Sequence, residues 1–219
     1  MFSRNDPQSS NPDDGDLPRL SAEQQAAELL MPAVQFFSEL LPEKGLRAVR
    51  DAVQVVDSSS ARDPYARSAI RTGAAAILDC FELYEDAAEY LSQAIQIEAT
   101  ASSAPSQELA CQQVWRGELL CRLGRLVDAE SAASLGLEWI SALDRNSPLE
   151  VRAKLALAAI YRARQDHGRF GTTMSAVFSD LQDIPAESQA ELSDVLESTA
   201  RQWAKEGGFK EALALAQKA

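Results

Sequence analysis

Histidine occurs once in this sequence, at His167, and cysteine only three times, at Cys80, Cys111 and Cys121. A zinc site needs closely spaced Cys or His ligands, and a disulfide framework needs an even set of cysteines. Neither pattern is present, so no metal and no cofactor is expected, and the thiols read as reduced residues of a core or groove. A catalytic centre needs a nucleophile, a base and a group that orients the base. The single histidine sits in the turn-like stretch "QDHGRFG", residues 165 to 171, and neither a phosphate-binding glycine loop nor a hydrolase elbow occurs. The chain is not expected to be an enzyme.

Positive charge and long apolar runs are also in short supply. The chain carries 21 lysines and arginines against 33 acids, a formal charge of −12, and that field repels phosphate backbones and anionic membrane surfaces. Neither a nucleic-acid partner nor membrane association is expected. No stretch approaches the roughly 18 uninterrupted apolar residues of a membrane span, and the first 20 residues lack the apolar core of an export signal. These features predict a soluble, cytoplasmic protein. Aromatics make up only 6% of the chain while alanine is abundant, which suits helices packed closely through small side chains.

What is present is a regular alternation of loops and helices. Residues 1–20, rich in Pro, Asp, Ser and Asn, read as a flexible arm, and residues 21–219 as one folded domain. "SAEQ" supplies a capping box from Ser21 to Gln24. Asp63 before Pro64, Ser106 and Ser147 before Pro148 open later helices in the same manner. Between successive starts the apolar pattern covers two helices joined by a tight turn, so the unit is a helical hairpin. A small residue followed three positions later by a bulky one recurs at Ala33/Phe36, Ala75/Leu78, Gly117/Leu120, Ala158/Tyr161 and Ala200/Trp203, in steps of 42, 42, 41 and 42. A second small column at Gly45, Ala87, Ala129, Gly171 and Ala212 steps by 42, 42, 42 and 41, which predicts a turn one residue longer in the fourth hairpin. Repeating close contacts at one period stack hairpins into a solenoid. Pro32 is expected to kink or split the first helix unless it starts a new one.

These columns resemble the tetratricopeptide (TPR) repeats. Ala200, Trp203, Gly207, Phe209, Ala212, Ala216 and Ala219 match the family's small, aromatic, turn-glycine and alanine positions best. Gly117, Leu120, Gly124, Leu126, Ala129, Ala133 and Gly136 follow closely. Ala75, Leu78, Tyr84, Ala87, Leu91 and Ala94 fit too, with Glu82 in place of the turn glycine and Phe178 at a usually small position of unit four. The period of 42 exceeds the family's 34 by about two helical turns. It is similar to the repeats of kinesin light chains and bacterial peptide-sensing regulators. The resemblance implies an all-α, right-handed α-solenoid of five hairpins that binds a protein or peptide along a concave groove.

Carried over by register, that groove would present Thr72 and Asp79, then Val114, Glu118 and Arg122, then Arg152, Leu155 and Arg162, and finally Arg201. Thr72, Gly73, Ala76, Val114 and Glu118 occupy the positions of the Lys/Asn clamp for chaperone peptides, which disfavours that partner. Arg122, Arg152 and Arg162 either grip an acidic segment, or are simply solvated or paired with Glu118 and neighbouring residues, the latter being the simpler expectation. Trp115, Trp139 and Trp203 read as packing residues. The resemblance implies a scaffold or adaptor, with a peptide-responsive regulator as the alternative. Leu213, Leu215 and Ala216 lie on a final helix with no sixth hairpin to meet. Either this edge docks on a second copy, giving a homodimer, or on a partner, or the helix frays; its apolar character favours docking.

Overall fold

The computed structural model of the chain describes residues 21–59, 63–102, 104–143, 147–184, 188–205 and 207–217. The expected arm, parts of the loops between hairpins, and Ala219 lie outside the described residues. Ten α-helices are described, pairing as five antiparallel hairpins: α1 (Ala22–Ser38) with α2 (Pro42–Ser58), α3 (Pro64–Cys80) with α4 (Tyr84–Ala101), α5 (Gln107–Arg122) with α6 (Leu126–Leu143), α7 (Pro148–Ala163) with α8 (His167–Asp180), and α9 (Gln189–Lys205) with α10 (Phe209–Ala216). Neighbouring hairpins meet where α4 packs on α5 and α6 on α7, and the first helices α1 and α3, α5 and α7, and α7 and α9 lie side by side. The result is an α-solenoid.

The helix starts are built by the anticipated caps. Ser21 and Gln24 form the full capping box, Asp63 accepts from the Tyr65 amide, Ser106 from Leu109 and Ser147 from Glu150. Each removes an orphan amide at the helix start. Pro32 neither splits nor ends α1, which runs through it. Both Pro32 and Glu28, whose carbonyl loses its donor, are exposed, so the lost bond leaves no buried polar group unsatisfied.

All five hairpin turns share one geometry, a Schellman motif in which the amide two residues past the helix cap reaches back five residues. The bonds are Leu41 to Phe36 at 2.8 Å, Leu83 to Leu78 at 2.9 Å, Arg125 to Leu120 at 2.9 Å, Asp166 to Tyr161 at 2.9 Å and Gly208 to Trp203 at 2.8 Å. The residue before each donor has positive φ: Leu40, Glu82, Gly124, Gln165 and Gly207. Three of these carry a side chain in a region that costs a non-glycine residue about 1 kcal/mol. The repeated bonds hold the turn there regardless.

These turns correct the expected register of the fourth hairpin. Its turn is no longer than the others, and the positive-φ residues step by 42, 42, 41 and 42. The missing residue therefore precedes α7, and the counterpart of Ala129 in α8 is Phe170. Gly171 is exposed and a Cβ there would meet nothing within 4 Å. The mismatch at Phe178 disappears with it, because Met174 and Val177 are the buried residues of α8.

Other small positions, where described, lie in tight contacts. Ala33, Ala75, Ala87, Ala129 and Ala158 are fully buried. A Cβ on Gly117 would lie 2.9 Å from the Ala133 Cβ, and one on Gly45 would enter the Phe37 ring. The bulky partners Leu78, Leu120, Tyr161 and Trp203 are buried beside them.

One interface carries polar groups in place of apolar ones. Ser68, Glu98 and Gln112, from α3, α4 and α5, are all buried. Gln112 Nε2 donates to Thr72 Oγ1 at 3.1 Å and more weakly to Ser68 Oγ at 3.5 Å, while Glu98 Oε2 and Gln112 Oε1 have no donor among the described residues. Burial, reinforced by the nearby Glu108 carboxylate, pushes the Glu98 carboxyl above its ordinary pKa despite a hydrogen bond from Ser68. A raised folded pKa favours the native state below the unfolded pKa, and that contribution is lost as pH rises through the folded value. Glu98→Gln is thus expected to stabilise the protein at pH 7 by about 1 kcal/mol, since it removes a buried charge and adds a donor. Urea unfolding measured from pH 7 down to pH 4 should show this advantage shrinking; a constant or reversed difference would contradict it.

Candidate functional site

The first helices α3, α5, α7 and α9 enclose a cleft of about 1380 Å3. Its α7 wall is a stripe at helical spacing, Leu149, Leu155, Ala156 and Ala159, flanked by Arg152 and Arg162. The α9 wall carries the polar residues Glu191, Asp194, Ser198 and Gln202 at i, i+3, i+7 and i+11, with Val195 and Trp203 beside them. Glu211 of α10 lies at one end, and Asp79 of α3, Tyr84 of α4 and Trp115 and Glu118 of α5 line the other side.

Of the residues expected in the groove, the cleft brings together Asp79, Glu118, Arg122, Arg152, Leu155 and Arg162. Thr72 is absent from its lining and instead accepts the Gln112 amide. Val114 needs a correction: it is 2% exposed and packs with Ala110 and Ile140, under the close approach of Gly136. The repeat register placed it on the groove, but the tight α5–α6 contact turns it into the core. Arg201 lies outside the cleft, 70% exposed and 2.5 Å from Glu197 on its own helix, because α9 faces the cleft through the flank that bears Glu191 and Ser198.

Each cleft arginine is engaged within the chain. Arg122 lies 2.5 Å from Asp79 and 5.1 Å from the Tyr84 ring centre, and Trp115 Nε1 donates to the same Asp79 carboxylate at 3.0 Å. Arg152 donates to both oxygens of Glu118, at 3.0 and 3.4 Å. The Glu118 charge keeps the Arg152 guanidinium pKa above its ordinary value in spite of its desolvation. Arg162 stacks 4.9 Å from the Trp203 ring centre and packs onto Gly208, where a Cβ would collide with its Nη1. Gly207 supplies the positive φ of the turn, and Gly208 lies directly against the Arg162 guanidinium. Among the described residues, Glu191, Asp194 and Glu211 have no cation within 4 Å.

The tryptophans divide. Trp203 is buried and Trp139 packs against the core, as packing residues should, while Trp115 is half-buried and also lines the cleft. Tyr84 was not among the expected groove residues; it precedes the first buried alanine of α4 and reaches the cleft from the hairpin turn. Cys121 lines the cleft and Cys111 is half-buried; burial pushes the Cys111 thiol pKa up, which leaves it protonated and poorly nucleophilic. His167 is exposed in the first turn of α8 and does not line the cleft. No group of three potential ligands that could hold a metal ion occurs among the described residues. No described helix is long and apolar enough to cross a membrane.

The apolar edge expected on α10 is smaller than its sequence implied. Leu215 is fully buried, in the cluster that contains Trp203 and Leu196, and only Leu213, 61% exposed, and Ala216 face outward. Eight residues of α10 suffice to cover Trp203 from one side, which turns Leu215 inward.

No family model matches the chain, and no curated protein matches it in sequence. Solved structures share its fold. BtubC (BKLC) from P. vanneervenii is 18% identical over 91% of this chain and 89% of that one, with a TM-score of 0.62. A putative kinesin light chain from Podosopora anserina with nearly identical TPR-like repeats is 14% identical over 90% of this chain and 94% of that one, with a TM-score of 0.63. A variant of the same protein gives 0.65. The solenoid of hairpins described above is therefore a TPR-like fold.

Proposed function

We propose that this chain, a TPR-like α-solenoid, is a protein-interaction module that takes an extended or helical segment of a partner protein in the cleft between α3, α5, α7 and α9. The cleft itself carries the reading. At about 1380 Å3 it exceeds the roughly 300–1000 Å3 of small-molecule pockets, and it joins an apolar stripe to ordered polar groups, as a chain segment requires. Its charged residues are arranged for recognition: the arginines are held by internal partners, and no histidine lines the cleft. A scaffold or adaptor role follows from a module that binds without chemistry.

The test is obstruction. Ala159 lies half-buried on the α7 stripe, and Ala159→Trp would fill the middle of the cleft. Peptides selected from a random 12-residue display library on the wild-type protein are expected to lose at least tenfold in affinity for the variant, with unchanged circular dichroism. Equal binding to both proteins would place the binding surface elsewhere.

A further inference from the structure

We infer that the segment taken by the cleft is basic, presenting lysine or arginine side chains to the α9–α10 wall and apolar side chains to the α7 stripe. The inference rests on the reading of the cleft as a peptide site and specifies its partner. The starting observation is a division of charge. The cleft contains three guanidinium groups and five carboxylates, but they are not free in equal measure. Asp79 and Glu118 are occupied by Arg122 and Arg152, and Arg162 is pinned between Trp203 and Gly208. An acidic ligand would have to displace one carboxylate with another, a near-neutral exchange that returns a desolvated acid to the site.

The remaining acids have no such partners. Glu191 and Asp194 lie one helical turn apart on the same face of α9, exposed into the cleft, and Glu211 lines it from α10. None has a cation within 4 Å among the described residues. Across the cleft, Leu149, Leu155, Ala156 and Ala159 offer no charge at all. A segment with cations on one side and apolar groups on the other satisfies both walls, and the overall charge of −12 steers it in.

Three fluorescein-labelled 12-residue peptides with the same leucine and alanine content, one bearing lysine and arginine, one aspartate and glutamate, and one serine and glutamine, test this by fluorescence polarisation. The basic peptide is expected to bind at least tenfold more tightly than the other two. Glu191→Lys with Asp194→Lys should weaken it at least tenfold, while Glu43→Lys with Glu138→Lys, the same charge change on acids outside the cleft, should not. Ala159→Trp keeps the net charge, so it separates cleft binding from general attraction. Preference for the acidic or uncharged peptide, lost in Ala159→Trp, would overturn the basic-partner inference and leave the cleft reading standing. Equal weakening by both pairs of charge reversals would likewise overturn it. Binding of every peptide unaffected by Ala159→Trp, or no binding at all, would overturn both.

Discussion

Trp203→Ala is expected to remove about 3–5 kcal/mol, the cost of truncating a buried aromatic, and to do so locally, around α9 and α10. Trp203 is 2% exposed and joins its own helix to three others. It packs with Leu196 and Ala200 of its own helix and with Leu215 of α10, and its ring centre lies 6.1 Å from that of Phe170 on α8. Arg162 of α7 covers its face. In a solenoid each hairpin contacts only its neighbours, so stability is roughly a sum of repeat and interface terms, and among the described helices α9 and α10 pack chiefly on the hairpin of α7 and α8. The loss should therefore detach α9 and α10 before the rest unfolds. Hydrogen exchange should show α9 and α10 amides losing protection while those of α3 to α6 keep it. The fluorescence of Trp115 and Trp139 should report a second, later transition in urea. A single coincident transition would show the hairpins to be more tightly coupled than this. With its α9 wall loosened, the cleft should also lose affinity for its peptides.

The repeating unit was legible because its causes are local. Caps at Ser21, Asp63, Ser106 and Ser147 depend on residues within three positions, and the small columns repeat a contact within each hairpin. Register in the fourth hairpin was not legible, because three of the five positive-φ turn residues are Leu40, Glu82 and Gln165. Side chains there give no mark in the sequence, whereas the exposed Gly171 imitates one. Groove membership was half legible. Repeat position placed Asp79, Glu118, Arg122, Arg152 and Arg162 on the cleft, but it could not show that Val114 turns into the α5–α6 contact or that α9 faces the cleft through its other flank. Glu118 was legible as a partner for these arginines, but which arginine it meets was not. Arg122 finds Asp79 43 residues earlier and Arg152 finds Glu118 34 residues earlier, at distances set by how hairpins stack. The charge left over after that pairing, at Glu191, Asp194 and Glu211, is negative.

The same substitution at two helical glycines should have opposite signs. Alanine is favoured over glycine in a helix interior by about 1 kcal/mol, so propensity alone predicts that both Gly136→Ala and Gly171→Ala stabilise. Gly171 is exposed on α8, and an added Cβ meets nothing within 4 Å; a gain of about 0.5–1 kcal/mol is expected there. At Gly136 the Cβ would lie 2.6 Å from Val114 Cγ2, 2.8 Å from the Ala110 carbonyl oxygen and 2.9 Å from the Val114 amide nitrogen. Two of these are backbone atoms of α5, so no rotamer change relieves the clash and the helices must separate. Overpacking of this kind costs about 1–3 kcal/mol or more, enough to outweigh the propensity gain and leave a net loss of about 2 kcal/mol. Hairpin three sits in the middle of the solenoid and contacts neighbours on both sides. Separation of α5 from α6 should thus lower the midpoint of the main unfolding transition, unlike the local damage of Trp203→Ala. Parallel urea titrations of the two variants should move in opposite directions. Stabilisation by both would mean that the α5–α6 contact is looser than its glycines require.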